Sequence, residues 1–199
     1  TTDSGVATRS VISSTLAPLL LIGGWTLAAA HQPPGFNSSV DTISALAGYG
    51  AADRWIMTLA LLGLGVCHLV TASGLWAARA GGRRWLAAGG AATIAVECFP
   101  LPAVGASVAH AVAAGAAFIS LSIWPLWAWV PVGAHHWVAW ALRRGPSIAA
   151  ATILIALLAC FVALQVAGTF VGGSERIVAG AQAMWPLVVA WTIWLSRRP

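Results

Sequence analysis

Apolar positions along the chain fall into six long runs separated by short polar breaks. This pattern predicts six membrane-spanning helices over approximately residues 10–30, 54–78, 85–101, 108–130, 148–170 and 177–196. Each run approaches the length of about 20 residues that crosses a hydrocarbon core at 1.5 Å per residue. No break resembles a domain linker, so residues 1–199 are expected to form a single six-helix transmembrane domain. The first run, with Arg9 before it and Ala28-Ala29-Ala30 at its end, has the layout of a secretory signal. Its apolar stretch is longer than the 7–15 residues usual there, so a true first helix is expected.

The breaks carry their own signals. His31-Gln32-Pro33-Pro34-Gly35 is turn chemistry. Val40 to Gly48 then alternates at helical spacing, which predicts a short helix in the first external loop, with Ser39 as N-cap and Asp41 in its first turn. Pro100 and Pro102 end the third span, and Ser107 is placed to cap the fourth. Pro125 and Pro186 should kink their helices at points that face protein, where the freed carbonyls find partners.

Composition narrows the class. The 199 residues are 59% hydrophobic and 8% charged, against about 25% charged in soluble domains. The fold class is therefore an all-α integral membrane protein. The net charge of +5 comes entirely from arginine. Under the six-span reading, Arg9, Arg79, Arg83, Arg84, Arg143, Arg144, Arg197 and Arg198 share one side. Arg54 and Arg176 lie on the other, each beside an acid. The positive-inside rule then puts both termini in the cytoplasm, in what is expected to be a bacterial plasma membrane. Arginines spread over helix ends make topology, and no nucleic-acid partner, the expectation.

Nine of the twelve tryptophans, Trp124 among them, fall near the arginine-rich side, as an interfacial belt would. His135 to Arg144 is expected to be a short interfacial helix, since adjacent histidines point about 100° apart and chelate poorly together. Cys67, Cys98 and Cys160 lie in three different runs, and no disulfide is expected. Small residues mark helix contacts in lipid. Ala109, Ala113, Gly115, Ala116 and Ala117 of the fourth span should therefore face the bundle, with Gly63, Gly65, Ser73 and Gly74 of the second and Gly89 and Gly90 of the third.

The polar residues inside the runs are the functional candidates, because an unpaired charge at mid-bilayer costs several kcal/mol, about 2.5–3.5 on insertion scales. Glu97 ends the third span and His110 starts the fourth, so a helical hairpin should bring them to similar depth. One reading is a structural Glu97–His110 hydrogen bond. The other is an outward-facing crevice in which they meet Asp41, Ser44 and His31 as ligand-binding groups. Glu97, His110 and Asp41 are then the catalytic candidates, and Glu97 and His110 the metal candidates. Carboxylate with imidazole suits zinc, but no compact motif supports it and no cofactor is expected. His68 lies about 20 Å below the outer boundary at 1.5 Å per residue, too deep to share a haem iron with His110. His68, Gln165 and Gln182 are expected to be buried and hydrogen-bonded within the bundle.

Asp41-Thr42-Ile43-Ser44-Ala45-Leu46, Arg54-Trp55-Ile56-Met57, Phe99-Pro100 and His110 together resemble the six-helix membrane family catalogued as domain of unknown function 998. They are more distantly similar to DRAM/FRAG-type membrane proteins. The resemblance implies the six-helix fold and draws attention to Asp41, Ser44 and His110. Three functions fit the sequence. The first is a protein that binds membrane lipids or a small amphiphile at the outer crevice, or serves as an accessory subunit with a membrane protein partner or as a homo-oligomer. The second is a membrane-embedded lipid hydrolase or transferase, with Glu97 or Asp41 as base. The third is a small transporter marked by His68 and the two glutamines.

Overall fold

The computed structural model describes residues 5–131 and 139–196. All regular structure among them is helical: α1 (Thr8–Ala30), α2 (Ile43–Ala47), α3 (Trp55–Gly74), α4 (Ala80–Cys98), α5 (Val108–Ala128), α6 (Arg144–Ala167) and α7 (Val171–Leu195). A single 3-10 turn, Trp140–Leu142, precedes α6. In the described part of the interfacial helix expected over 135–144, Trp140–Leu142 form this turn and Arg144 already opens α6, while His135, His136, Trp137 and Val138 lie outside the described residues. So do Arg197 and Arg198.

The six long helices pack in chain order, α1 on α3, α3 on α4, α4 on α5, α5 on α6 and α6 on α7, and α7 closes the ring against α1. Helices α1, α3, α5, α6 and α7 are long and apolar enough to cross a membrane. Helix α4 has 19 residues, but it carries Arg83, Arg84 and Glu97 and is diluted by four glycines and six alanines along its length. It packs between two of the apolar helices.

Small residues set the closest approaches. A Cβ on Gly65 or on Gly90 would lie 2.7 Å from the other's carbonyl oxygen, so α3 and α4 cross backbone to backbone. Gly89 meets Leu121, and Gly82 meets Ala128, on the other side of α4. The stripe expected on α5 is half correct. Ala113 and Ala117 are buried, whereas Ala109 and Ala116 are exposed and Gly115 faces open space. The inward face runs through His110, Ala113, Ala117, Ser120 and Trp124 at steps of three and four, so Ala109, Gly115 and Ala116, each next to or two places from a buried position, are turned off it. Ser73 is likewise exposed.

Pro125 and Pro186 are buried, as their missing donors require. Trp124 corrects the belt reading. It is fully buried at the arginine-rich end among Leu75, Leu86, Leu142 and Ile193. The face of α5 that carries it points inward, while Trp127, three residues on, is exposed. The three cysteines are free, Cys67 buried and Cys98 and Cys160 exposed.

Candidate functional site

The opposite, arginine-poor end is built around the start of α7. Gly168 and Phe170 both take left-handed backbone (φ 69° and 51°) and close a tight turn from α6. Gly172 follows, and the chain at 38–41 lies directly on it; a side chain there would collide with the Asp41 carbonyl. The Gly172 amide donates to Val40 O at 3.1 Å and the Gly173 amide to Ser39 O at 3.1 Å. These satisfy two of the amides that a helix start leaves free. Arg176 Nη1 donates to the carbonyls of Ser38 (2.7 Å), Asp41 (2.7 Å) and Gly172 (3.0 Å).

Glu175, 4% exposed, accepts the Ile43 amide at 2.5 Å and faces the Ser44 hydroxyl at 3.4 Å. The Thr42 hydroxyl accepts the Ala45 amide at 3.0 Å and caps α2. The outer helix therefore starts at Ile43, capped by Thr42 in place of Ser39, and Asp41 stands outside it. The competing claim on the chain is Arg176, which takes the Ser38 and Asp41 carbonyls for itself. For the same reason α7 starts at Val171, six residues before the expected position: Glu175 and the Nη1 of Arg176 find protein partners in the loop that precedes α2 and in α2 itself.

Beneath α2 lies a cavity of about 60 Å³ whose polar wall is Ser44, His68, Thr93, Glu175 and Gln182. At roughly 10–15 Å³ per water this holds a few waters or one small group. Leu21, Leu64 and Phe118 are among its apolar walls. Gln182 Nε2 donates to Phe118 O at 2.8 Å and to Ser122 Oγ at 2.9 Å, which ties α7 to α5. His68 is fully buried, and neither ring nitrogen has a hydrogen-bond partner among the described residues. The expected burial of His68 and Gln182 is therefore found, but not the hydrogen bond expected for His68.

Above α2 a separate crevice of about 390 Å³ opens at the surface between residues 32–36, Asp41 to Ala51, and Leu101 to Ala103. Asp41 Oδ2 accepts the Asn37 amide at 2.7 Å. The Gln32 amide is spent on the Ala28 and Ala52 carbonyls and on the Ala52 amide. Asp41 is thus the charged group of this crevice.

The other expected residues are distributed differently. His110 caps back into its own hairpin: its amide donates to Ser107 Oγ at 3.2 Å, and Nδ1 lies 2.9 Å from Phe99 O. No hydrogen bond joins it to Glu97. Both Glu97 oxygens lack a hydrogen-bond partner among the described residues, and their polar neighbours are Thr58 and Arg54 of the α3 start. His31 Nδ1 pairs with Asp53 Oδ2 at 2.8 Å, and neither residue lines the crevice. That contact and the Trp55 indole N–H hold the Asp53 carboxyl below its ordinary range. Gln165 is exposed near the end of α6, not buried as expected, and its backbone carbonyl accepts the Gly168 amide that closes the helix. Glu175 was missed because a carboxylate beside arginine reads as surface. The signal available was Gly172-Gly173 just upstream of it, with Ser174 between, a pair that in lipid marks close backbone approach.

Among the described residues, no three His, Cys, Asp or Glu side chains gather as metal ligands would. A family model described as a protein of unknown function (DUF998) matches residues 15–192. No curated protein and no solved structure matches the chain.

Proposed function

This chain belongs to the DUF998 family of proteins of unknown function, and we propose that it binds a lipid or small amphiphile with its head group in the crevice beside Asp41. The observation that carries this reading is the crevice itself: an open surface pocket whose charged group is a single carboxylate, with Phe36, Leu46 and Leu101 among its apolar lining. A carboxylate accepts hydrogen bonds and donates none when ionised. The head group it suits is therefore a donor, an amine or a polyol. Exposed Tyr49, Trp55, Phe99 and Val104 at the same end suit the interface where such a head would sit.

In this reading α4 is the sixth span, since it lies between α3 and α5 and matches them in length. Both termini are cytoplasmic, and the crevice faces outward from a bacterial plasma membrane. A membrane accessory subunit that presents a lipid to its partner would use the same crevice. Native mass spectrometry of protein released from its own membranes tests the proposal. Wild type should retain an amine- or polyol-headed amphiphile that Asp41→Asn loses; equal retention by both would reject it.

A further inference from the structure

The cavity under α2 is distinct from the surface crevice, and its chemistry is unusually one-sided. Glu175 is committed to α2 through the Ile43 amide and the Ser44 hydroxyl. The Gln182 amide nitrogen is committed to α5. Thr93 donates its hydroxyl proton to Gly89 O at 2.9 Å. What remains directed at the cavity is mainly acceptor capacity: the Gln182 carbonyl oxygen, the Thr93 oxygen and an unprotonated nitrogen of His68. Neither arginine nor lysine lines the space, and Glu175 is its one carboxylate. His68 is fully buried with both nitrogens unpartnered among the described residues. Such a group loses its full desolvation cost unless something in the cavity pairs with it.

We infer that this cavity is a binding site for a small primary amine, taken up as the amine or its ammonium ion. The nitrogen supplies N–H donors to the free acceptors of Gln182, Thr93 and His68, the unprotonated form of the amine can also accept the His68 N–H, and a short alkyl group fits against Leu21, Leu64 and Phe118. The site is small, so methylammonium is the natural probe. It also stands independently of the surface crevice, whose test reads a retained amphiphile and the Asp41 carboxylate.

The test uses full-length protein in lipid nanodiscs with ¹⁵N-labelled histidine. Methylammonium chloride should shift the His68 ring nitrogens saturably, while sodium chloride at matched ionic strength should not. Tetramethylammonium, a cation without N–H donors, should also leave them unmoved. Thr93→Val, close in shape but without the hydroxyl, should weaken the response at least tenfold. His68→Phe supplies a second variant, in which thermal stabilisation by methylammonium should disappear. If that variant does not fold, the tetramethylammonium and Thr93→Val results decide alone. No saturable shift with methylammonium, an equal shift with tetramethylammonium, or an unchanged affinity in Thr93→Val would overturn the assignment and leave a cavity filled by water.

Discussion

Glu175, one turn into α7, accepts the backbone amide of Ile43 at 2.5 Å across a sequence separation of 132 residues. This single contact fixes α2 as the partition between the interior cavity and the surface crevice. Glu175→Gln places an amide group where two acceptor oxygens now stand, so one end opposes a donor. We expect a loss of about 1–3 kcal/mol from the unsatisfied buried donors, read as a lower melting temperature in detergent. Equal melting of the two proteins would show that α2 is held some other way.

The two glutamines of the apolar runs should separate cleanly. Gln182→Leu removes the bonds to Phe118 and Ser122 and should cost about 1–3 kcal/mol. Gln165→Leu, at an exposed position, should stay within about 0.5 kcal/mol of wild type. Thermal melts of both variants check the pair, and a destabilised Gln165→Leu would mean that its side chain is buried after all.

That contrast shows what the residue pattern carries and what it does not. Hydropathy places the spans, and the Ser107 cap is legible because it is local: the His110 amide it accepts is three residues away. Glu175 is decided by a loop more than a hundred residues distant. Composition cannot report such a contact, and only the preceding glycine pair hints at it. The His110–Glu97 hairpin shows the same boundary. Similar depth was readable, but the directions of the two side chains depend on how α4 turns against α3, which Gly65 and Gly90 set by close approach. His68 was legible as buried, and its empty surroundings were not, because a cavity is a property of five packed helices and the α2 roof.

The His31–Asp53 pair should give the outer loop an acid response of its own. Hydrogen bonds from His31 and Trp55 lower the Asp53 carboxyl from its ordinary 3.8. A folded value below the unfolded one means the contact stabilises the loop above that ordinary value and is lost as pH falls through the folded one. With ¹³C-labelled aspartate, the Asp53 carboxyl should titrate below 3.8 in wild type and move up toward it in His31→Ala. An unchanged midpoint would show that the His31 contact is absent in solution.

Topology can be read with introduced cysteines in a background lacking Cys67, Cys98 and Cys160. Val104→Cys, in the exposed hairpin between α4 and α5, should react with an impermeant maleimide in intact cells. Ser196→Cys, at the end of α7, should react only after permeabilisation. The reverse pattern would invert the orientation, and labelling of both from one side would break the six-span count.

The central claim is that the surface crevice beside Asp41 receives an amphiphile head group. The most direct measurement is photo-crosslinking with an amine-headed phospholipid whose reactive group sits in the head, followed by peptide mapping. The account predicts crosslinks on Pro33 to Phe36 and Leu101 to Ala103, the two walls of the crevice, and their loss in Asp41→Asn. Crosslinks spread over exposed positions of α6 such as Ile153 and Val166, with none at the crevice walls and no dependence on Asp41, would contradict it.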